Sequence, residues 1–275
     1  MNDGATSVWP TGQRSTRAQL REAGCVPGTE FDQERIPPAV AAHAIAAWTR
    51  TGDLVLDPDC GAGTVLTESL RAGRHALGLT VRKPWWNLAR ANVTAAKTAG
   101  AWCDGSVLEA RPRMLATVRA AGLVGRVGLV LTALRTGPER DRVESAVGAL
   151  AQTLQYCEPL LRPGGHVAIV ARPHRRADGS LVDLASLVIT AATTAGLALV
   201  ERCVALSAEV RGSRLVVRGS GEQRRVAHHE VLVFQLVHDA ELAAATAAGI
   251  PWPTQADVIR PAVNGVAYPG WRRAA

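Results

Sequence analysis

Apolar residues fall along the chain in two alternating rhythms, short continuous runs and longer stretches at helical spacing. The runs DLVLD (53–57), HALGLTV (75–81), AWCD (101–104), VGLVLT (127–132) and HVAIVA (166–171) have the near-unbroken apolar character of strands covered on both faces. Between them lie helical stretches from Ile36 to Arg50, from Thr64 to Ala72 ending at Gly73, from Trp85 to Thr98, at 107–121, at about 138–160 after VGLVLT, and at 181–196 stopped by Gly196. Strand and helix alternating this regularly predict an α/β domain with a mostly parallel sheet and helices on both faces. Two long strand-like segments, 197–210 and 229–237, close the pattern with no helix between them. The expectation is therefore seven strands with an antiparallel strand at the edge. Residues 1–30 carry little periodicity and read as an N-terminal arm, 31–237 as the domain, and 238–275 as a tail, helical at ELAAATAAG and then containing Pro and Trp. Trp9 reads as an anchor holding the arm to the domain.

Composition narrows the function classes. With 47% hydrophobic residues in 275, disorder is excluded for most of the chain. No apolar run reaches the roughly 18 residues of a membrane span, and the first twenty residues lack the apolar core of a signal peptide. A soluble, cytoplasmic protein with no membrane partner is the expectation. Five cysteines, Cys25, Cys60, Cys103, Cys157 and Cys203, lie far apart with no CxxC pair, so neither a disulfide framework nor a cysteine metal site is expected. Lys and Arg outnumber Asp and Glu by 31 to 24, a formal charge of +7. That favours a polyanionic partner such as nucleic acid, although an arginine-rich composition alone gives the same surplus. Five arginines, Arg211, Arg214, Arg218, Arg224 and Arg225, lie in the segment between the last two strands, where the only acid is Glu222. Two readings stand for it, a finger touching a phosphate backbone and a solvated hairpin.

The most informative stretch is the first strand, which ends in Asp57 and runs through Pro58-Asp59-Cys60-Gly61-Ala62-Gly63-Thr64 into a helix. Glycines at 61 and 63 let backbone approach a ligand, and the start of the helix offers free N–H groups and a partial positive charge. The dinucleotide fingerprint GxGxxG fails at Leu66, which tilts the reading from a nicotinamide cofactor towards S-adenosylmethionine.

The stretch 52–79 with the helix before it, the RPGG turn (162–165) and the closing HHEVLVF (228–234) resemble S-adenosylmethionine-dependent methyltransferases related to the DNA N4-cytosine/N6-adenine methylases and the tRNA guanosine N2-methyltransferases. The likeness covers about residues 30–237 and implies the Rossmann-like class I methyltransferase fold. It implies a cofactor site built from Asp57, Pro58, Cys60, Gly61 and Gly63 around the methionine end, with Asp104 on the adenine amino group. The ribose position, an acid in the family, falls on Thr80; a hydroxyl makes one of the carboxylate's two hydrogen bonds, weakening affinity by about 1 to 3 kcal/mol.

The catalytic segment departs from that pattern. Where such enzymes carry Asp/Asn/Ser-Pro-Pro-Tyr/Phe after the fourth strand, this chain has Ala133-Leu134-Arg135-Thr136, without the acceptor side chain, the prolines or the aromatic ring. In the family's first helix the resemblance implies a His-Pro pair where this chain has Asp32-Gln33. Two readings remain open: an enzyme with changed chemistry, methylating an oxygen or another nucleophile with His174, Glu139, Asp141 or His229 as the base, and an inactive homologue binding nucleic acid or a protein partner; the resemblance names the nucleic-acid amino-methylase type as the function. His228-His229-Glu230 is not read as a metal site, because neighbours on a strand point to opposite faces. Trp85 and Trp86 open the second helix beside the expected adenine, with helix-to-sheet packing the blander role for both.

Overall fold

The computed structural model describes residues 6–117, 122–136, 143–176, 178–216 and 226–239. Its first compact unit ends at Val237; the unit from His238 onward lies almost entirely outside the described residues. In chain order the first unit contains β1 (Val8–Trp9), α1 (Thr16–Glu22), α2 (Pro38–Trp48), β2 (Leu54–Asp57), α3 (Thr64–Arg71), β3 (His75–Thr80), α4 (Lys83–Thr98) and β4 (Gly105–Glu109). There follow β5 (Val127–Ala133), α5 (Val143–Cys157), β6 (Leu161–Ala171), β7 (His174–Arg175), β8 (Leu181–Val182), α6 (Leu184–Thr194), β9 (Leu197–Leu206), β10 (Glu209–Arg211), β11 (Arg214–Val216) and β12 (His228–Leu236).

Eight strands form one sheet in the order β1-β9-β12-β6-β5-β2-β3-β4. β12 runs antiparallel to both its neighbours, β6 and β9, so the antiparallel strand lies inside the sheet and not at its edge. The eighth strand comes from the N-terminal arm: Val8 and Trp9 pair in parallel with Val204 and Ala205 of β9. Trp9 is buried, with its ring 4.3 Å from His43 and 5.5 Å from Trp48, and Gln19 of α1 accepts from the Ala39 N–H at the start of α2. The arm is thus part of the sheet and core.

Alternate residues of the central strands serve opposite faces, as the doubly apolar runs require. Leu56, Val130, Ile169 and Phe234 pack under α5 and α6, while Val55, Leu129, Val170 and Val231 pack under α2 with Trp9. A third cluster joins α3 and α4 through Leu66, Leu70, Ala89 and Val93.

The third strand differs in position from the sequence expectation. It occupies 105–109, and the expected helix over 107–121 is, within the described residues, only a short 3-10 turn at Pro112–Ala116. The apolar signal of AWCD comes from Cys103, which sits fully buried against α4 while outside any strand. Gly105 opens the strand where a Cβ would lie 2.9 Å from both Leu70 and Val93, so the close approach of α3 and α4 calls for glycine there. The RPGG turn is absorbed into the start of β6.

Candidate functional site

In an open parallel sheet the loops at the carboxyl ends of the strands form the natural ligand crevice. Here a cleft of about 1380 Å³ opens at that edge, bounded by the loops after β2, β3, β5 and β6 and by the amino end of the antiparallel β12. The segment 31–36 that leads into α2 closes one side.

The loop after β2 is held from beneath and from the side. Asp57 is 3% exposed and accepts from the Asp59 N–H at 3.2 Å; burial pushes its carboxyl up to about 8, against the pull of Arg135. Cys60 is buried against Gly78 of β3, and burial raises its thiol well above the ordinary value, the reverse of an activated nucleophile. Gly63 has φ +85° and faces Ala89 of α4, whose Cα would lie 3.0 Å from a Cβ placed there. Asn92 of α4, fully buried, donates to the Ala62 carbonyl at 2.8 Å and to the Thr29 hydroxyl at 2.9 Å, and accepts from the Val26 N–H at 2.7 Å. Thr64 donates to the Ile36 carbonyl at 3.0 Å. The glycine loop and the chain before α2 therefore form one hydrogen-bonded wall.

Arg135 joins that wall to the loop after β5. Its guanidinium pairs with both carboxylate oxygens of Asp32, at 3.1 and 3.3 Å, and its Nε donates to the Asp59 carbonyl at 3.1 Å. Asp32, 2% exposed, also accepts from the Ala62 N–H at 3.0 Å and the Glu34 N–H at 3.3 Å. Burial opposes the Arg135 charge, but Asp59 and Asp32 more than offset it and hold the guanidinium firmly protonated. Gly61, with φ +50°, lies directly against these two side chains: a Cβ there would collide with Asp32 Oδ2 and Arg135 Nη2.

Of the residues singled out in the sequence for a cofactor, Gly61 and Thr80 line the cleft, while Asp57, Pro58, Cys60 and Gly63 support it without lining it. Asp104 is a correction. Because β4 begins at Gly105, Asp104 lies at the amino end of its strand, away from the cleft, with its side chain 92% exposed and 3.7 Å from His75. The carboxyl end of β4 instead presents Glu109, paired with Lys83 at 2.8 Å. Ala133, Leu134, Arg135 and Thr136 all line the cleft. The Leu134 N–H is spent on the Val170 carbonyl at 2.9 Å.

Trp85 lines the cleft beside Thr80 and Val81, with Arg82 5.3 Å from its ring centre. Trp86 is the packing residue of the pair, donating to the Val107 carbonyl of β4 at 3.1 Å under Lys83 and Arg90. His174 and His229 line the opposite side, and each keeps one buried ring nitrogen without a hydrogen-bond partner among the described residues, Nε2 and Nδ1 respectively. Burial, then Arg172 and His228, push His229 down to about 4, so its imidazole is neutral at physiological pH. Arg172, Arg175 and Arg176 make a basic rim. Arg211 and Arg214 sit on the exposed β10–β11 hairpin and do not line the cleft, Arg211 being tied to Glu209 at 2.8 Å. Arg218, Arg224, Arg225, Glu139 and Asp141 lie outside the described residues. Among the described residues no group of three His, Cys, Asp or Glu is placed to hold a metal ion, and no helix is long and apolar enough to cross a membrane.

Asp32 and Asn92 carry roles that spacing did not reveal. The one signal for Asp32 was its place in the segment where a His-Pro pair was expected.

Residues 3–89 match the family described as DNA methylase. Among solved structures the chain is similar to TrmN from Thermus thermophilus, at 20% identity and a TM-score of 0.51 over 80% of this chain and 53% of that one, so it spans about half of that relative. It is similar to PH1948 from Pyrococcus horikoshii at 13% identity and a TM-score of 0.50, over 81% and 98% of the two chains. A TehB-like SAM-dependent methyltransferase from Corynebacterium glutamicum matches at 16% identity and a TM-score of 0.45, over 80% and 94%. The fold is that of the class I methyltransferases, and the DNA methylase match takes in the arm, β2, the glycine loop, β3 and the first half of α4.

Proposed function

We propose, from the premise that this chain is related to the S-adenosylmethionine-dependent methyltransferases of the DNA and tRNA methylase type, that it transfers a methyl group to nucleic acid in the cleft at the carboxyl edge of its sheet. The observation that carries the reading is convergence. The glycine loop, Thr80 to Trp85, the 133–136 loop and His229 are far apart in sequence and border one cleft of about 1380 Å³, ample for a nucleoside cofactor and a flipped-out base.

The donor set fits the nucleoside half of S-adenosylmethionine: the Thr80 hydroxyl can meet a ribose, and Val81 with the Trp85 ring offers an apolar face to an adenine. That cofactor supplies an electrophilic methyl group on a sulfonium, so proximity and alignment furnish most of the rate. Ala133 has no side-chain acceptor for the target group. A candidate substitute lining the same cleft is His229, whose Nδ1 has no hydrogen-bond partner among the described residues and can take a hydrogen bond or a proton because burial keeps the ring neutral. Arg172, Arg175 and Arg176 on the rim can meet backbone phosphates and fix the substrate's register.

Incubating the full chain with methyl-labelled S-adenosylmethionine and, separately, duplex DNA, single-stranded DNA and transfer RNA tests the proposal. Label is expected in one class of nucleic acid, falling steeply with salt and with Arg172→Ala plus Arg176→Ala. No incorporation into any of them would overturn it.

A further inference from the structure

Resting on the reading of the cleft as an adenosyl-cofactor site, we infer that Asp32 is a specificity-determining residue: its carboxylate occupies, from within the chain, the seat on the glycine loop that a ligand's amino-acid carboxylate would otherwise take.

The seat is defined by what Asp32 does there. Its carboxylate lies over Gly61, accepts the Ala62 N–H at 3.0 Å and the Glu34 N–H at 3.3 Å, and is gripped in bidentate fashion by Arg135 at 3.1 and 3.3 Å. With four donors on two oxygens and 2% exposure, it is satisfied as a bound carboxylate ligand would be. The absence of a Cβ at Gly61 makes room for that carboxylate and for the Arg135 guanidinium, since a Cβ would collide with both. The space that glycine opens beside the loop is therefore filled by the protein's own side chains.

Two consequences follow for a ligand entering beside Thr80 and Trp85. A second carboxylate brought to Gly61 would meet a buried like charge, a repulsive element that discriminates against it. Three of the five Arg135 N–H groups are already committed, two to Asp32 and one to the Asp59 carbonyl. The cleft then recognises an adenosyl ligand by its nucleoside half and gains nothing from its amino-acid half. Neutralising Asp32 removes the repulsion and leaves the Arg135 guanidinium facing the loop with vacated donors.

Calorimetric titration of the full chain with two thioethers that share the adenosine tests this: S-adenosylhomocysteine, which carries the amino-acid carboxylate, and 5′-methylthioadenosine, which lacks it. The wild-type chain should bind the two within about threefold of each other. Asp32→Asn, which keeps an acceptor for the Ala62 N–H, should tighten S-adenosylhomocysteine at least about tenfold relative to 5′-methylthioadenosine, roughly 1.4 kcal/mol. A wild-type preference of tenfold or more for S-adenosylhomocysteine would overturn the inference alone, and needs no variant to fold. So would a ratio that Asp32→Asn leaves unchanged. Binding of neither thioether to the wild type would overturn the cofactor reading and the inference with it.

Discussion

Replacing Arg135 by alanine removes the guanidinium from a carboxylate that is only 2% exposed, and the cost can be worked from its contacts. Asp32 is 2% exposed, and its partner's side chain is 16% exposed, so the pair belongs with buried ion pairs. Removing one member of such a pair costs about 3–5 kcal/mol. The Ala62 and Glu34 N–H bonds to Asp32 persist, which puts Arg135→Ala near about 3 kcal/mol. Asp32→Ala leaves Arg135 with the Asp59 carbonyl and with its carboxylate at 3.5 Å, and should cost roughly 2–3 kcal/mol. The double variant no longer strands the Asp32 charge; it loses the loop hydrogen bonds and the Arg135 contacts with Asp59, about 3 kcal/mol in all. The coupling energy is then about 2–3 kcal/mol. Urea unfolding of the four proteins, with slopes held equal, measures it. The exposed Lys83–Glu109 pair serves as a control, with coupling below about 1 kcal/mol. A coupling under about 0.5 kcal/mol for Asp32–Arg135 would refute the claim that this pair locks the 133–136 loop to the glycine loop.

Trp9→Ala should destabilise the protein by about 3–5 kcal/mol, because the ring is 1% exposed and packs on His43 and Trp48; a loss below about 1 kcal/mol in the same assay would show that the arm is dispensable to the core. The Asp57 carboxyl is raised from 3.8 to about 8, so its protonated form is the one the fold favours. Its contribution is full below pH 3.8 and is lost as pH rises from there through 8, and Asp57→Asn should lose less stability than wild type between pH 4 and 8. Parallel pH profiles for the two proteins would contradict the burial argument. His229 is lowered from 6.5 to about 4, the opposite sense: the fold favours the neutral ring, and stability drains as pH falls from 6.5 towards 4. Nitrogen-detected NMR should find that imidazole neutral at pH 5.5, and a titration midpoint near 6.5 would remove its role as an acceptor.

How far these features could be read in the sequence depended on the range of the interactions behind them. β2, its glycine loop and α3 were legible because a short strand of three apolar residues closed by Asp57, two glycines and a helix start are neighbours in the chain. β4 was displaced by four residues because Cys103 is apolar for the sake of α4 and not for the sheet, and the assignment of Asp104 to the cleft moved with it. The eighth strand is only Val8 and Trp9, too short for any period, although the isolated tryptophan did mark an anchor. That β12 inserts between β6 and β9 is decided by pairing across the sheet, which order along the chain leaves open. Asp32 and Arg135 stand 103 residues apart. Each registered only as a departure from an expected motif, and their pairing became visible only once the fold placed the two departures on the same glycine.

Backbone amide shift mapping of the full chain titrated with S-adenosylmethionine tests the central claim most directly, since it reports both binding and place. The account predicts saturable binding with a dissociation constant tighter than about 1 mM and the largest perturbations at Thr80, Val81, Trp85 and the 133–136 loop. Spectra unchanged at millimolar S-adenosylmethionine, or perturbations confined to the amino edge around His75 and Asp104, would contradict it.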